Sequence, residues 1–357
     1  MLSLHDHLPA RYGTYIRKKI WFGLALILIL IVSTLLSLGT GTYPITFQEI
    51  LSLLHGGTDG IVGHVLLHIR LPRTCAGLVA GACLGMAGSI MQNVIKNPLA
   101  SPFTLGVSQG AAFGAAFAII ILGAGNLQFS GSGPAIITSP YLMISAAFFG
   151  SLITVITLVL LSSLRGLSPE SLILAGVALS SFFGAATMLL QYFATDIQVA
   201  ASVFWTFGDL GKAQWQQVSL MAVLMIGAFG YFYHNRWHYN AMVWGDDAAH
   251  SLGVNVTALR LISLVVASLI SSVTIAFLGI IGFIGLIAPH LMRMVIGQDN
   301  RFLLPYAAFA GASLLLISDI LARQLLAPIT LPVGILTSFA GVPLFLYLLI
   351  RHKEAGR

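Results

Sequence analysis

Long apolar segments alternate with short polar segments along almost the whole chain of 357 residues. A helix needs about 20 mainly apolar residues to cross the ~30 Å hydrocarbon core of a bilayer. Segments near that length lie at 20–38, 72–92, 104–123, 141–161, 171–192, 218–233, 258–278, 279–296, 303–321 and 333–350. The pattern therefore predicts an all-α, polytopic membrane protein with about ten transmembrane helices. We expect the boundary after Leu278 and the short sixth segment to be the least regular.

The longest polar segment of the chain interior, residues 233–260, separates two apolar halves. Gly245 followed by two aspartates predicts a helix start, because carboxylates in a first turn complement its exposed N–H groups and positive dipole end. Gly253 predicts the end of that helix. Asn255 is a good N-cap for a second helix that enters the next apolar segment. Two short helices joined by a tight turn suit a groove on a soluble partner, although an ordinary cytoplasmic loop is the alternative.

The basic residues indicate the orientation. An even number of spans places both termini on one side, and 13 of the 17 lysines and arginines share that side. Only Arg70, Arg73, Lys212 and Arg323 fall on the other. Because basic residues concentrate in the cytoplasm, both termini and the polar segment are predicted to be cytoplasmic. The net charge of +6 then reflects orientation and gives no support for nucleic-acid binding.

These boundaries divide the chain into a cytoplasmic N-terminal extension at 1–19, one transmembrane domain at 20–350 and a cytoplasmic tail at 351–357. Glycines recur every four residues on the second predicted span and again on the third. Helices associate in lipid by close backbone approach, so these stripes predict tight helix packing. The residues are Gly77, Gly81 and Gly85, then Gly106, Gly110 and Gly114.

Neither a metal site nor a cofactor is predicted. His64 and His68 share one helix face at a spacing suited to a metal or haem, but no third ligand lies nearby. A pair of histidines at the membrane interface that binds no ligand is therefore favoured. Cys75 and Cys83 match no disulfide or metal spacing and are interpreted as packing residues. The chain carries neither a phosphate-binding G-x-x-x-x-G-K-[ST] loop nor H-E-x-x-H. Neither nucleotide hydrolysis nor zinc-dependent proteolysis is therefore predicted for the chain itself, so it is not expected to be an enzyme, and any ATP hydrolysis must occur in another subunit.

Several short motifs occur in a fixed order over nearly the whole chain. They are RLPR at 70–73, GSIMQ at 88–92, NPLA at 97–100, LGVS at 105–108, LAGVAL at 174–179, SLGV at 251–254, GFIGL at 282–286, PH at 289–290, LP at 304–305, DILAR at 319–323 and LPVG at 331–334. Together they resemble the permease subunits of type II ABC importers, which carry iron complexes, haem and cobalamin.

The resemblance implies ten helices per subunit, a second permease copy with the path at a two-fold axis, cytoplasmic ATPase subunits and an external solute-binding protein. It also implies a multi-pass protein of the cell inner membrane. The family's coupling helices fall at about 240–260. The residues implied for ATPase coupling are Gly245, Asp246, Asp247, His250, Ser251, Leu252 and Gly253. The residues implied for docking acidic groups of the binding protein are Arg70, Arg73 and Arg323.

The leading function is ATP-driven uptake of a metal chelate, most often an iron complex such as a ferric siderophore or haem. A cobalamin or oxyanion importer of the same family is the alternative. An ion-coupled secondary transporter is disfavoured, because such proteins need ionisable residues at mid-membrane and the acidic residues here cluster at helix ends and in loops. Asp319 is expected at the interface, paired with Arg323 one helical turn later.

Overall fold

A computed structural model describes residues 8–41, 45–46, 48–49, 60–124, 127–128, 136–137, 139–164 and 167–354. In these ranges the helices are α1 (Leu8–Gly39), α2 (Ile61–Val65), α3 (Leu71–Val94), α4 (Val107–Ile120), α5 (Pro140–Ser163), α6 (Pro169–Tyr192), α7 (Asp196–Thr206), α8 (Trp215–His234), α9 (Arg236–Val243), α10 (Asp246–Ser251), α11 (Val256–Leu278), α12 (Ile284–Ile296), α13 (Asn300–Gln324) and α14 (Val333–Glu354). A π-helical turn, Leu66–Arg70, joins α2 to α3. Two short strands, β1 (Leu127–Gln128) and β2 (Ile136–Ile137), pair antiparallel.

Seven helical segments of the described chain are long and apolar enough to cross a membrane. Three shorter apolar helices, at 107–120, 284–296 and 333–343, occupy the remaining predicted spans. Each of the ten predicted segments therefore corresponds to a helix. The prediction of an all-α, polytopic membrane protein is confirmed.

Side-chain caps set several helix starts. The Ser168 hydroxyl accepts the Ser171 amide at the start of α6, and Thr195 and Gln198 form a reciprocal capping box at α7. Asn255 accepts the Ala258 amide at α11, as its sequence position predicts. Each cap satisfies one of the amides that have no partner within a first turn.

Helix α3 lies at the centre of the bundle and packs against α8, α11, α12 and α13. Its residues are mostly buried, whereas α6 and α8 leave most of their surface exposed. The small residues of α3 allow this, because every face of a central helix must accept a neighbouring backbone.

The loop after α7 joins two neighbouring helix ends. The Asp209 amide donates to the Leu278 carbonyl, the Ile280 amide to the Thr206 carbonyl and the Gly334 amide to the Gly208 carbonyl. The end of α11 and the start of α14 therefore share one backbone network at the end of the bundle opposite residues 245–253.

Two local features differ from the sequence prediction. The polar segment holds three helical pieces, because the helix α9, which was not predicted, precedes α10, while the second predicted helix enters the next apolar segment as expected and forms α11. Helix α1 already begins at Leu8, so the described part of the predicted extension is continuous with the first span.

Candidate functional site

Residues 245–253, called here the coupling segment, form a capped helical turn at one end of the bundle. Gly245 adopts φ 120° before α10, and Gly253 adopts φ 81° after it. The Gly253 amide donates to the His250 carbonyl (2.9 Å). The Ser251 hydroxyl donates to the Asp247 carbonyl, also at 2.9 Å. These positive φ values explain the two glycines, because a side chain is strained in that region.

Asp246 anchors the coupling segment to the rest of the bundle. Its carboxylate accepts from Arg260 Nη2 at 2.8 Å and from Lys96 Nζ at 2.8 Å. Burial raises the pKa of this carboxyl, but the hydrogen bonds from Arg260 and Lys96 outweigh it and hold the pKa below its ordinary value. Asp246 is therefore ionised at neutral pH and held in place by two cations.

Large apolar side chains project on both sides of α10. Trp244 is 84% exposed and Leu252 is 72% exposed, while Ala249 between them is fully buried against the bundle. An exposed tryptophan and an exposed leucine therefore flank the two ends of this helix. Tryptophan is a typical anchor in the centre of a protein interface.

At the opposite end of the bundle, Asp319 lies between two arginines. Arg73 Nη2 lies 2.8 Å and Arg73 Nε 3.0 Å from Asp319 Oδ1, and Arg323 Nε lies 3.0 Å from Asp319 Oδ2. Arg73 Nη2 also lies 3.2 Å from Asp209 Oδ1. The predicted Asp319–Arg323 pair is present. The side chain of Asp319 is fully buried and is also shared with Arg73, a partner that the sequence did not predict, while its position at the membrane interface stays a prediction.

Two arginines of this cluster also bind the end of α1. Arg70 Nη1 donates to the carbonyls of Leu38 (2.7 Å) and Gly39 (3.0 Å), and Arg323 Nη1 donates to Thr40 (2.7 Å). The last carbonyls of a helix carry partial negative charge and have no partner within it, so cations stabilise them. All three predicted docking arginines thus make contacts within the chain, and their role in docking stays a prediction.

The glycine stripes lie where backbones approach closely. A Cβ at Gly81 would lie 2.6 Å from the Ala312 Cα of α13, and one at Gly85 would meet the Ala307 carbonyl. The other stripe residues face α13, α5 or α6, so that Gly77 meets Leu316, Gly106 meets Ser180, Gly110 meets Thr154 and Gly114 meets Ala146. Side chains at these positions would push neighbouring helices apart.

His64 and His68 lie on one helix face with ring centroids 4.8 Å apart. No group of three His, Cys, Asp or Glu residues in the described part of the chain is placed to hold a metal ion.

The sequence reasoning did not select Arg260 or Lys96. Arg260 is 4% exposed and donates to Val94, Leu167 and Asp246. A lone arginine just inside an apolar segment could have marked Arg260 as a candidate, since a buried guanidinium needs several hydrogen-bond acceptors. Its acceptors are distant in sequence and only the packing identifies them.

The chain resembles known transport proteins over nearly its full length. The profile of the FecCD transport family matches residues 29–351. A putative ABC transporter permease protein of Methanocaldococcus jannaschii is 52% identical over 344 residues, covering 96% of this chain and 98% of the relative. The hemin transport system permease protein HmuU of Yersinia pestis is 37% identical, covering 95% and 98%.

A solved structure described as an inward-facing conformation of a putative metal-chelate type ABC transporter has the same architecture. It superposes with a TM-score of 0.80 at 31% sequence identity, covering 93% of this chain and 99% of the other.

Proposed function

The chain belongs to the FecCD transport family, and on that premise we propose that it forms the path for an iron complex, a ferric siderophore or haem, received from an external solute-binding protein. It is a permease of the metal-chelate ABC importers, a family in which a separate subunit hydrolyses ATP. Two copies pair around the path in the inner membrane, with both termini in the cytoplasm.

The observation that carries the proposal is the coupling segment. It combines an exposed apolar surface at Trp244 and Leu252 with a rigid connection through Asp246 to Lys96 and Arg260. A connector between two spans needs neither feature. A segment that transmits movement from an ATPase subunit needs both features. The ATPase must bind its exposed side chains, and the displacement of the segment must be transmitted to the membrane spans.

The iron-complex cargo is supported by the resemblance to a hemin permease and to a metal-chelate type transporter. Cobalamin and oxyanions are the alternative cargoes.

Docking of the binding protein is assigned to the end opposite the coupling segment. Arg70, Arg73 and Arg323 supply three positive charges there, against Asp319 and Asp209 within the same cluster. Two copies around a two-fold axis would double this positive excess. Such a field orients a partner that carries acidic groups on two lobes.

The test is uptake into proteoliposomes that contain the permease and its ATPase subunit, with the cognate binding protein outside. We expect ATP-dependent uptake of a ferric siderophore or haem, abolished by a Walker A lysine variant of the ATPase. If only cobalamin or an oxyanion is taken up, that compound replaces the iron complex as the proposed cargo. Uptake driven by an ion gradient without ATP would contradict the importer function.

A further inference from the structure

Arg260 connects three segments that are distant along the chain. Its Nε donates to the Val94 carbonyl at the end of α3 (2.8 Å), and its Nη1 donates to the Leu167 carbonyl just before α6 (3.2 Å). Its Nη2 donates to both carboxylate oxygens of Asp246 at the start of α10. The guanidinium plane therefore faces one acceptor group from each segment.

Geometry makes Arg260 suited to this position. A guanidinium carries five N–H groups in a rigid plane, so it can hold several acceptors in fixed relative directions. Lysine has a single rotatable ammonium group and cannot fix three directions in the same way. Because Arg260 is almost fully buried, water does not compete for these contacts.

Two backbone conformations beside Arg260 are unusual. In the described chain only Lys96, Leu167 and Phe283 combine a side chain with a positive φ, and Lys96 and Leu167 have φ values of 52° and 54°. Lys96 bonds to Asp246, and the Leu167 carbonyl accepts from Arg260. Such conformations persist where the surroundings over-determine them, and they occur often at sites that switch or transmit movement.

We propose that Arg260 is the positioning residue that makes the coupling segment, the end of α3 and the start of α6 respond as one body when an ATPase subunit docks. The inference rests on the proposed function for the docking step alone. Movement of the coupling segment then reaches two spans at once: the buried central helix α3 and the largely exposed helix α6.

The alternative is a local packing role, in which Arg260 only satisfies nearby carbonyls. The two roles differ in whether a change at Asp246 alters the hydrogen bonding of Leu167. Asp246 is not hydrogen-bonded to Leu167, so a change at Asp246 should reach Leu167 only if Arg260 transmits it.

Hydrogen–deuterium exchange of the purified full-length chain in detergent tests this directly. In the free chain, Asp246→Asn should speed amide exchange in a peptide covering 167–172 roughly 3- to 10-fold, because Arg260 loses its ionic partner. Residues 93–99 do not serve as a readout, because Lys96 pairs directly with Asp246. Asp247→Asn is the matched control, since it makes the same charge change on the same helix at an exposed residue with no ion pair in the described chain. It should leave the 167–172 peptide unchanged.

A second measurement adds the cognate ATPase subunit. In the wild type it should slow exchange at 244–254 and, through Arg260, at 167–172. In Arg260→Lys the slowing at 244–254 should remain, while the slowing at 167–172 should be lost.

The outcomes separate the two proposals. If the ATPase leaves 244–254 unprotected, docking at this segment is wrong, and the free-chain comparison still decides the role of Arg260. If Asp246→Asn leaves 167–172 unchanged in the free chain, or if protection of 167–172 persists in Arg260→Lys, transmission through Arg260 is overturned.

Discussion

Arg73 and Asp319 are 246 residues apart in sequence and form a double hydrogen bond between α3 and α13. The carboxylate is fully buried and its second oxygen faces Arg323. Because both arginines also belong to the predicted docking set, a charge reversal at either one would place two carboxylates together inside the bundle. Docking and folding must therefore be tested with different substitutions.

Asp319→Asn should strongly destabilise the fold. The amide keeps the shape but leaves Arg323 without a counter-charge and Arg73 with only the partly exposed Asp209, and removing one partner of a buried ion pair costs about 3 to 5 kcal/mol. We expect a clear fall in thermal unfolding midpoint and loss of the monodisperse peak in detergent. Asp196→Asn, at an exposed first-turn aspartate, should stay within about 0.5 kcal/mol. Equal behaviour of the two variants would show that Asp319 does not hold the cluster together.

Asp209→Asn tests the docking proposal without disturbing the buried pair. Asp209 is partly exposed, pairs with Arg73 at 3.2 Å and accepts the Gly211 amide, which an asparagine also can accept. Removing its charge should strengthen capture of an acidic binding protein by up to about 5-fold at low salt, since exposed pairs contribute about 0 to 1 kcal/mol. The gain should vanish at high salt. Binding measured by surface plasmon resonance that is unchanged or weaker at low salt would contradict docking through Arg73.

Gly81→Ala should impair folding although only one methyl group is added. The new Cβ would meet the Gly311 carbonyl and lie 2.6 Å from the Ala312 Cα, and backbone atoms cannot rotate away as a side chain does. Overpacking of this kind costs about 1 to 3 kcal/mol. Gly227→Ala on α8 is the matched control, because nothing lies within 4 Å of its Cβ. That variant should be neutral or more stable by up to about 1 kcal/mol, and thermal unfolding in detergent compares the two.

The stability contribution of Asp299 should depend on pH. Burial raises the pKa of this carboxyl, but hydrogen bonds from Arg301 and Asn240 outweigh it and hold the pKa below its ordinary value. A depressed pKa stabilises the fold above the unfolded value, and this contribution is lost as the pH falls through the folded value. Asp299→Asn keeps the N-cap of α13 but should cost about 1 kcal/mol at pH 7. Unfolding midpoints at pH 7, 5 and 3 should converge toward the lowest pH, and a constant difference would refute the ionic contribution.

Trp244→Ala should weaken binding of the ATPase subunit while leaving the permease folded. The side chain is 84% exposed, so its removal creates no cavity. Buried tryptophan anchors in interfaces contribute about 2 kcal/mol or more, equivalent to roughly 30-fold in affinity. Trp21→Ala, at an exposed tryptophan within α1, is the control for loss of aromatic surface elsewhere. If both variants bind the ATPase equally well, the apolar surface of the coupling segment is not the docking anchor.

The sequence by itself determined the positions of the membrane spans and the helix ends of the coupling segment. Ten apolar segments each became a helix, and Gly245, Gly253 and Asn255 set the helix ends that their positions predict. These features depend on residues within a few positions of one another, through apolar length, caps and permitted φ values.

Only the tertiary structure decided which charges meet. Arg260 reaches Val94 and Leu167, and Asp319 lies between Arg73 and Arg323, across helices that are distant in sequence. In a soluble helix an apolar stripe shows which side faces the core. In a membrane span the side facing lipid is as apolar as the side facing protein, so the sequence pattern carries little information on neighbours. Small residues predict close contact, but the partner helix is set by the packing of the whole bundle.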